Sequence, residues 1–235
     1  MPRNKYPEET VKIILDAALK LFLEKGYEKT TILDIVGEMG GLTRGAFYHH
    51  FKSKEELIFA LNDKLFEAID PFEKAKKRTE LNGMQKIKWA LNAINANEEF
   101  QKFQLQMLPL FNSPTFLKKA IEENRDYAAP KLAELIEEGI RDGSIKAKYP
   151  KLTAELILLV SSIWTLPTIF PQESYEDAMQ RLEMVKDITA FLGVPMIDDD
   201  MATFAVIDDD GFATEITREE AKQIKKENIY SHEKN

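Results

Sequence analysis

The sequence predicts an all-α protein, and three observations lead there. Apolar residues recur at helical spacing through most of the first 197 positions. No stretch before residue 200 alternates apolar and polar with the period of two that a half-buried strand needs. Caps and breakers cut the chain into helix-sized pieces: Gly26, Gly40-Gly41, Asp70-Pro71, Ser113-Pro114, Asp142-Gly143, Pro150 and Gly193. The expected order is a three-helix domain over 1–60, a larger helical domain over 61–197 and an acidic extension over 198–235.

The elements follow in chain order. Residues 1–6 form a short basic arm carrying Arg3 and Lys5, either without fixed structure or close to phosphates. Val11, Ile14, Leu15, Ala18, Leu19 and Phe22 mark an amphipathic helix over 8–25, ended by Gly26 as a left-handed cap. Thr31 opens the next helix, and Asp34 three residues on completes a capping box. Ile32, Ile35, Val36 and Met39 give that helix one apolar face, and Gly40-Gly41 reverses the chain. Thr43 caps a helix of about two turns, RGAFYHHF. Ser53 with Glu56 makes another capping box, starting a long helix to about residue 69. Its buried face is Leu57, Ile58, Leu61, Leu65 and Phe66, and it is the natural lever between the two domains. KAKKRTELNG reads as a polar connection or a frayed helix end.

Helices are then expected over about 84–96, 98–111, 113–141, 150–166 and 174–192, the third opened by proline at its first helical position. In the extension, Phe204, Val206 and Ile207, an Asp-rich turn with Gly211, and Phe212 to Ile216 suit a short β-hairpin; Thr217 with Glu220 would cap a helix to about Tyr230. A disordered acidic tail fits that stretch as well. The acidic runs 198–200 and 208–210 lack the glycine and glutamate offsets of an EF-hand loop, so no calcium site is expected.

A chain of 235 residues with 44% hydrophobic content can bury a sizeable core. It has no cysteine, hence no disulfide framework, no thiolate zinc site and no cysteine nucleophile, which suits a reducing cytoplasm. The start of the chain has no apolar signal core, and the run LILLVSSIWTLPTIF is too short for a membrane span and is broken by Pro167. Neither a His/carboxylate cluster at ligand spacing nor a phosphate-binding glycine loop appears, so no cofactor, metal or enzymatic activity is expected. The net charge of −8 is unevenly spread. Residues 1–60 hold nine Lys/Arg against nine Asp/Glu, 61–197 hold 18 against 20, and 198–235 hold five against 11. Affinity for a polyanion must therefore come from local placement of basic groups, not bulk charge.

Residues 31–51, TILDIVGEMGGLTRGAFYHHF, are where such placement occurs. Phe47 and Phe51 lie four apart and face inward, leaving Arg44, Ala46, Tyr48 and His49 outside. Arg44 can grip a guanine edge or a phosphate. Tyr48 and His49 are donors of the right length for phosphate oxygens. Gly45 costs roughly 1 kcal/mol of helix stability against alanine, and close approach of the backbone to a ligand surface is one reason to carry it. Lys52 and Lys54 flank the helix end. The spacing alone also fits an ordinary helical hairpin with a polar face.

The stretches DAALKLFLEKGYEKTTILDIV, LTRGAFYHHF and KSKEELI together resemble the DNA-binding domain of the TetR/AcrR family of transcriptional repressors, over about the first sixty positions. One residue more than the family's usual spacing stands between Thr31 and Thr43, in GEMGGL, a departure that concerns the turn and not the recognition helix. The resemblance implies that Thr31, Thr43, Arg44, Gly45, Tyr48, His49 and Lys54 contact DNA; Lys52 is added for its charge and location. It also implies a small-molecule pocket in the helical domain, where aromatic and flexible apolar residues concentrate between Trp89 and Tyr127. Phe103, Gln104, Met107 and Trp164 are the expected wall, suited to a hydrophobic or amphipathic ligand, although Met and Phe at helical spacing also suit plain core.

The last two helices are apolar over more than one stripe: Leu156, Leu159, Val160 and Ile163, then Leu182, Val185 and Ile188. Such helices need a second partner. With the resemblance, this implies a twofold homodimer through a four-helix interface, and so a palindromic operator read by two recognition helices. The expectation is a ligand-responsive regulator, most simply a repressor. The alternatives are a helical homodimeric interaction protein or an all-α enzyme without DNA binding.

Overall fold

The computed structural model describes residues 7–171, 174–198, 203–207 and 213–217. In order, the helices are α1 (Pro7–Lys25), α2 (Ile32–Glu38), α3 (Arg44–His50), α4 (Lys54–Ile69), α5 (Pro71–Lys76), α6 (Gly83–Asn95), α7 (Glu98–Met107), α8 (Pro114–Glu123), α9 (Ala129–Asp142), α10 (Pro150–Leu158) and α11 (Tyr175–Phe191). Two compact units emerge: Met1–Ile69 with Asn97–Met107, and Asp70–Ala96 with Leu108–Asn235. The boundary expected at residue 60 falls inside α4, and α7 belongs to the first unit.

In the first unit, α1 packs against α2, α3, α4 and α7. Their shared core is Ile14, Ala18, Phe22, Ile35, Met39, Phe47, Leu57, Leu61 and Phe103, all essentially sealed from solvent. Each such large side chain contributes roughly 1.5–3 kcal/mol by leaving water. The ends of the helices are set locally. Gly26, at φ 84, closes α1, and its N–H donates to the Phe22 carbonyl at 3.0 Å. The Thr31 box is complete: Asp34 N–H donates to Thr31 Oγ1 at 3.1 Å and Thr31 N–H to Asp34 Oδ2 at 2.8 Å. In the turn after α2, within GEMGGL, Gly40 and Gly41 sit at φ 60 and 96. The box before α4 differs from expectation. Glu56 N–H donates to Ser53 Oγ at 3.1 Å, but the Glu56 carboxylate accepts from the Lys52 amide at 2.7 Å.

The second unit departs from expectation wherever proline interrupts a pattern. Part of the stretch expected as a polar connection is helical: α5 follows Pro71 and buries Phe72 and Ala75. Asp70 before it is left-handed, at φ 47. The helix expected over 98–111 ends at Met107 and continues as a 3₁₀ turn, Leu108–Asn112, since Pro109 cannot donate to an α-helical ladder. The helix expected over 113–141 is α8 and α9 joined by a π-helical segment, Asn124–Ala128. Pro130 lacks an N–H and crowds the Asp126 carbonyl, and the widened turn accommodates it. Pro167 acts likewise on the helix expected over 150–166: α10 stops at Leu158, and a π-helical segment spans Leu159–Ile163. Asn124 Nδ2 donates to Ser162 Oγ at 2.9 Å, joining the two π segments.

Helix α6 lies against α9 with unusual closeness, because Gly83 faces Gly139. Lys86, buried on α6, pairs with Glu138 of α9. In the extension, β1 (Thr203–Ile207) and β2 (Ala213–Thr217) form an antiparallel hairpin, with Ala205 opposite Glu215. The basic arm 1–6, the acidic run 208–210 and the tail helix expected after Thr217 lie outside the described residues. Among the described residues no helix is long and apolar enough to cross a membrane.

Candidate nucleic-acid interface

Helix α3 is held from beneath and open above. Phe47 and Phe51 are buried, their rings 6.1 Å apart, and they anchor the helix to the core. Thr43 caps it, with Oγ1 accepting the Ala46 N–H at 3.3 Å. The 3.6-residue period then turns Arg44, Gly45, Tyr48 and His49 to solvent, with Ala46 half-buried beside them. The expected outer face is therefore present as one surface.

Its side chains are partly ordered among themselves. Arg44 Nη2 donates to the Tyr48 hydroxyl at 3.4 Å, and its guanidinium carbon lies 5.3 Å from the Tyr48 ring centroid. The Phe47 ring supports Tyr48 edge-on at 5.4 Å. His49 and His50 stack edge-to-face at 5.0 Å. Burial, then the neighbouring His49, lowers the pKa of His50. Gly45 is informative by what it does not touch. A Cβ there would meet only Thr43 Oγ1, at 3.5 Å, an ordinary contact. The fold itself has room for alanine, so it supplies no reason for the glycine.

Around α3 the expected residues differ in circumstance. Thr31 is exposed, and its box is reinforced by Lys25, whose Nζ lies 2.7 Å from Asp34 Oδ2. The Lys25 hydrogen bond, then those of Thr31, hold the Asp34 carboxyl well below the usual carboxylate range. Lys52 is exposed. Lys54 is half-buried and donates to the Tyr27 and Thr30 carbonyls at 2.7 and 2.9 Å. The charge and position of Lys54 were legible in the sequence; these two acceptors, 24 and 27 residues away, were not.

The four expected ligand-wall residues fall in different units. Phe103 and Met107 are buried in the first unit, and Gln104 Nε2 donates to Asn62 Oδ1 of α4 at 3.0 Å. Trp164 stands in the second unit, just past a π segment. Sequence reading missed Arg181 of α11, whose guanidinium lies 4.9 Å from the Trp164 ring and 5.7 Å from the Phe170 ring. Its Nη1 donates to the Trp164 carbonyl at 3.4 Å. Arg181 Nε and Thr168 Oγ1 are buried with no hydrogen-bond partner among the described residues. The signal available beforehand was only an arginine two turns into a helix that reads as apolar over more than one stripe.

Of the expected interface residues, Leu156 and Leu159 are exposed on one side of the α10 region, together with Leu152. Val160, Ile163, Leu182 and Ile188 are half-buried, whereas Val185 is sealed in the core. Met184 and Phe191 of α11 are exposed, Phe191 by 91%.

Residues 14–61 match the profile of bacterial regulatory proteins, tetR family. The chain is 43% identical over 70 residues to the HTH-type transcriptional regulator TtgR of Pseudomonas putida, a match covering 30% of this chain and 33% of that protein. It thus spans about a third of that relative's length. It is 29% identical over 152 residues to the uncharacterized HTH-type transcriptional regulator YhgD of Bacillus subtilis, covering 63% of this chain and 78% of that one. A transcriptional regulator from Cytophaga hutchinsonii shares the fold, with a TM-score of 0.58 at 20% identity over 79% of this chain and 97% of that chain. Each of these similar proteins is named as a transcriptional regulator.

Proposed function

We propose that this chain, whose amino-terminal domain is similar to that of the TetR family, is a regulator of that family that represses transcription as a homodimer on a palindromic operator and is released by a small amphipathic ligand. The observation that carries the DNA part is α3. Two buried phenylalanines fix it while Arg44, Gly45, Tyr48 and His49 face outward. Arg44 reads a base edge or grips a phosphate, Tyr48 and His49 donate to the backbone, and Gly45 lets the helix approach the groove. Thr31, Thr43, Ala46 and Lys52 flank that contact.

Dimer formation is supported by the exposed leucines of the α10 region and by Met184 and Phe191 of α11. A second copy supplies the same patch and so covers an apolar face that water disfavours. Two recognition helices about 34–36 Å apart then enter successive major grooves. The protein would act in the cytoplasm, on chromosomal DNA.

Ligand response is supported by the second unit's irregular helices. Trp164 and Arg181, beside a π segment, offer an aromatic face and a cationic donor whose Nε lacks a protein acceptor among the described residues. An amphipathic molecule with an acidic group suits that pair. Phe103, Gln104 and Met107 serve the response from α7, where Gln104 grips α4. Ligand binding shifts the population toward a dimer whose recognition helices no longer match the groove spacing. The check is an electrophoretic titration of the protein–operator complex with a panel of aromatic and aliphatic acids. At least one should release the wild type while leaving the Arg181→Met complex intact; release of both alike would remove Arg181 from the ligand site, and release of neither would remove the sensor.

A further inference from the structure

The first turn of α4 carries a lysine whose surroundings do not suit the role its position suggests. The ammonium of Lys54 has three N–H donors, and two go to the carbonyls of Tyr27 and Thr30, at 2.7 and 2.9 Å. The ammonium also sits over the Tyr27 ring, 4.0 Å from its centroid. Glu28 and Glu55 are near enough to attract its charge. Half-buried and with two of its three donors committed, this ammonium offers little to an approaching phosphate.

We propose that Lys54 is a positioning residue for operator recognition: it clamps the loop between α1 and α2, and through it the Thr31 cap, and makes no phosphate contact of its own. The inference rests on the operator-binding reading above. The clamped segment is short and directly joined to that cap. Thr30 is buried, its hydroxyl donates to the Gly26 carbonyl at 2.8 Å, and its N–H donates to the Tyr27 carbonyl at 3.2 Å. Residue 31 follows without a spacer, so the orientation of the Thr30 peptide sets where the exposed Thr31 hydroxyl and the start of α2 stand. The loop's carbonyls need donors, and Lys54 brings two donors from a different helix. Lys52, two residues earlier and exposed, is free of this arrangement and is the cation left to meet the backbone of the duplex.

Phosphate contact and positioning differ in their dependence on salt. Each lysine that neutralises a phosphate adds about one to the slope of log affinity against log salt, because it releases a counterion. The probe is a duplex recovered by the wild-type protein from a randomised palindrome library, with affinity read by fluorescence anisotropy across a salt series on protein shown folded by circular dichroism. Lys54→Met is expected to lose about tenfold to a hundredfold in affinity, the scale of a lost charge-assisted hydrogen bond, with its salt slope unchanged. Lys52→Met is expected to lower the slope by about one. Lys54→Met and Thr31→Ala should be non-additive, since both act on one loop, which a merely structural loss of stability would not produce. If Lys54→Met does not fold, Lys54→Gln serves. It removes the charge and keeps a donor for a carbonyl, so reduced affinity at unchanged slope supports positioning, and a slope lowered by about one overturns it. A slope lowered by one in Lys54→Met, or affinity left at the wild-type value, also overturns it. Failure of the wild-type protein to recover any duplex overturns instead the operator-binding reading, and this inference with it.

Discussion

Gly45 is the residue that most sharply separates a fold from a function. A glycine inside a helix lowers stability, and here a Cβ would meet nothing closer than Thr43 Oγ1 at 3.5 Å. Gly45→Ala should therefore raise the stability of the protein by about 0.5–1 kcal/mol, measured by chemical denaturation. The same change should weaken operator binding, because the added methyl group stands on the face offered to DNA. A variant that is both more stable and equally tight would show that this face does not approach the duplex closely. Arg44 and Tyr48 make the complementary point. Their mutual contact partly orders a cation before any ligand arrives, which lowers the entropy lost on binding. His50 shows the limit of naming by neighbourhood: it sits beside exposed His49, yet burial lowers its pKa and favours the neutral ring.

At the scale of elements, the closest packing in the second unit is where α6 crosses α9. A Cβ on Gly83 would lie 2.2 Å from the Gly139 backbone nitrogen, with no flexible side chain to move aside. Gly83→Ala should destabilise the protein by at least about 1–3 kcal/mol through overpacking, read as a lower denaturation midpoint. Unchanged stability would mean that α6 slides freely on α9. Helix ends in the first unit were legible because their causes are local: Thr31 with Asp34, Thr43, and Gly26 each act within four residues. The short α5 was hidden, since six residues after Pro71 display too little periodicity and its burial of Phe72 comes from packing. The π segments were hidden because a proline shows that a ladder must give way but not whether the chain will break, kink or widen. The recognition face was legible from α3's own period. The clamp at Lys54 was not, since its acceptors lie on another loop.

For the whole molecule, the proposed function asks a chain of net −8 to be held on DNA. The acid concentrates beyond residue 197, so binding on the proposed reading depends on few cations placed well, doubled in the proposed dimer. On the proposed dimer, the wild type should be dimeric by light scattering and Leu156→Glu with Leu159→Glu monomeric, since paired carboxylates on a shared apolar patch repel and resist burial. A dimer surviving that double change would move the interface elsewhere. The account as a whole turns on α3 as the surface that meets the duplex. Its most direct test is the affinity of the double variant Arg44→Ala, Tyr48→Ala for the duplex selected by the wild type, compared at one salt concentration. The account predicts a loss of at least about a hundredfold, as expected for removing a bidentate contact and a phosphate contact, with dimer and melting temperature unchanged; undiminished binding by that folded dimer would contradict it.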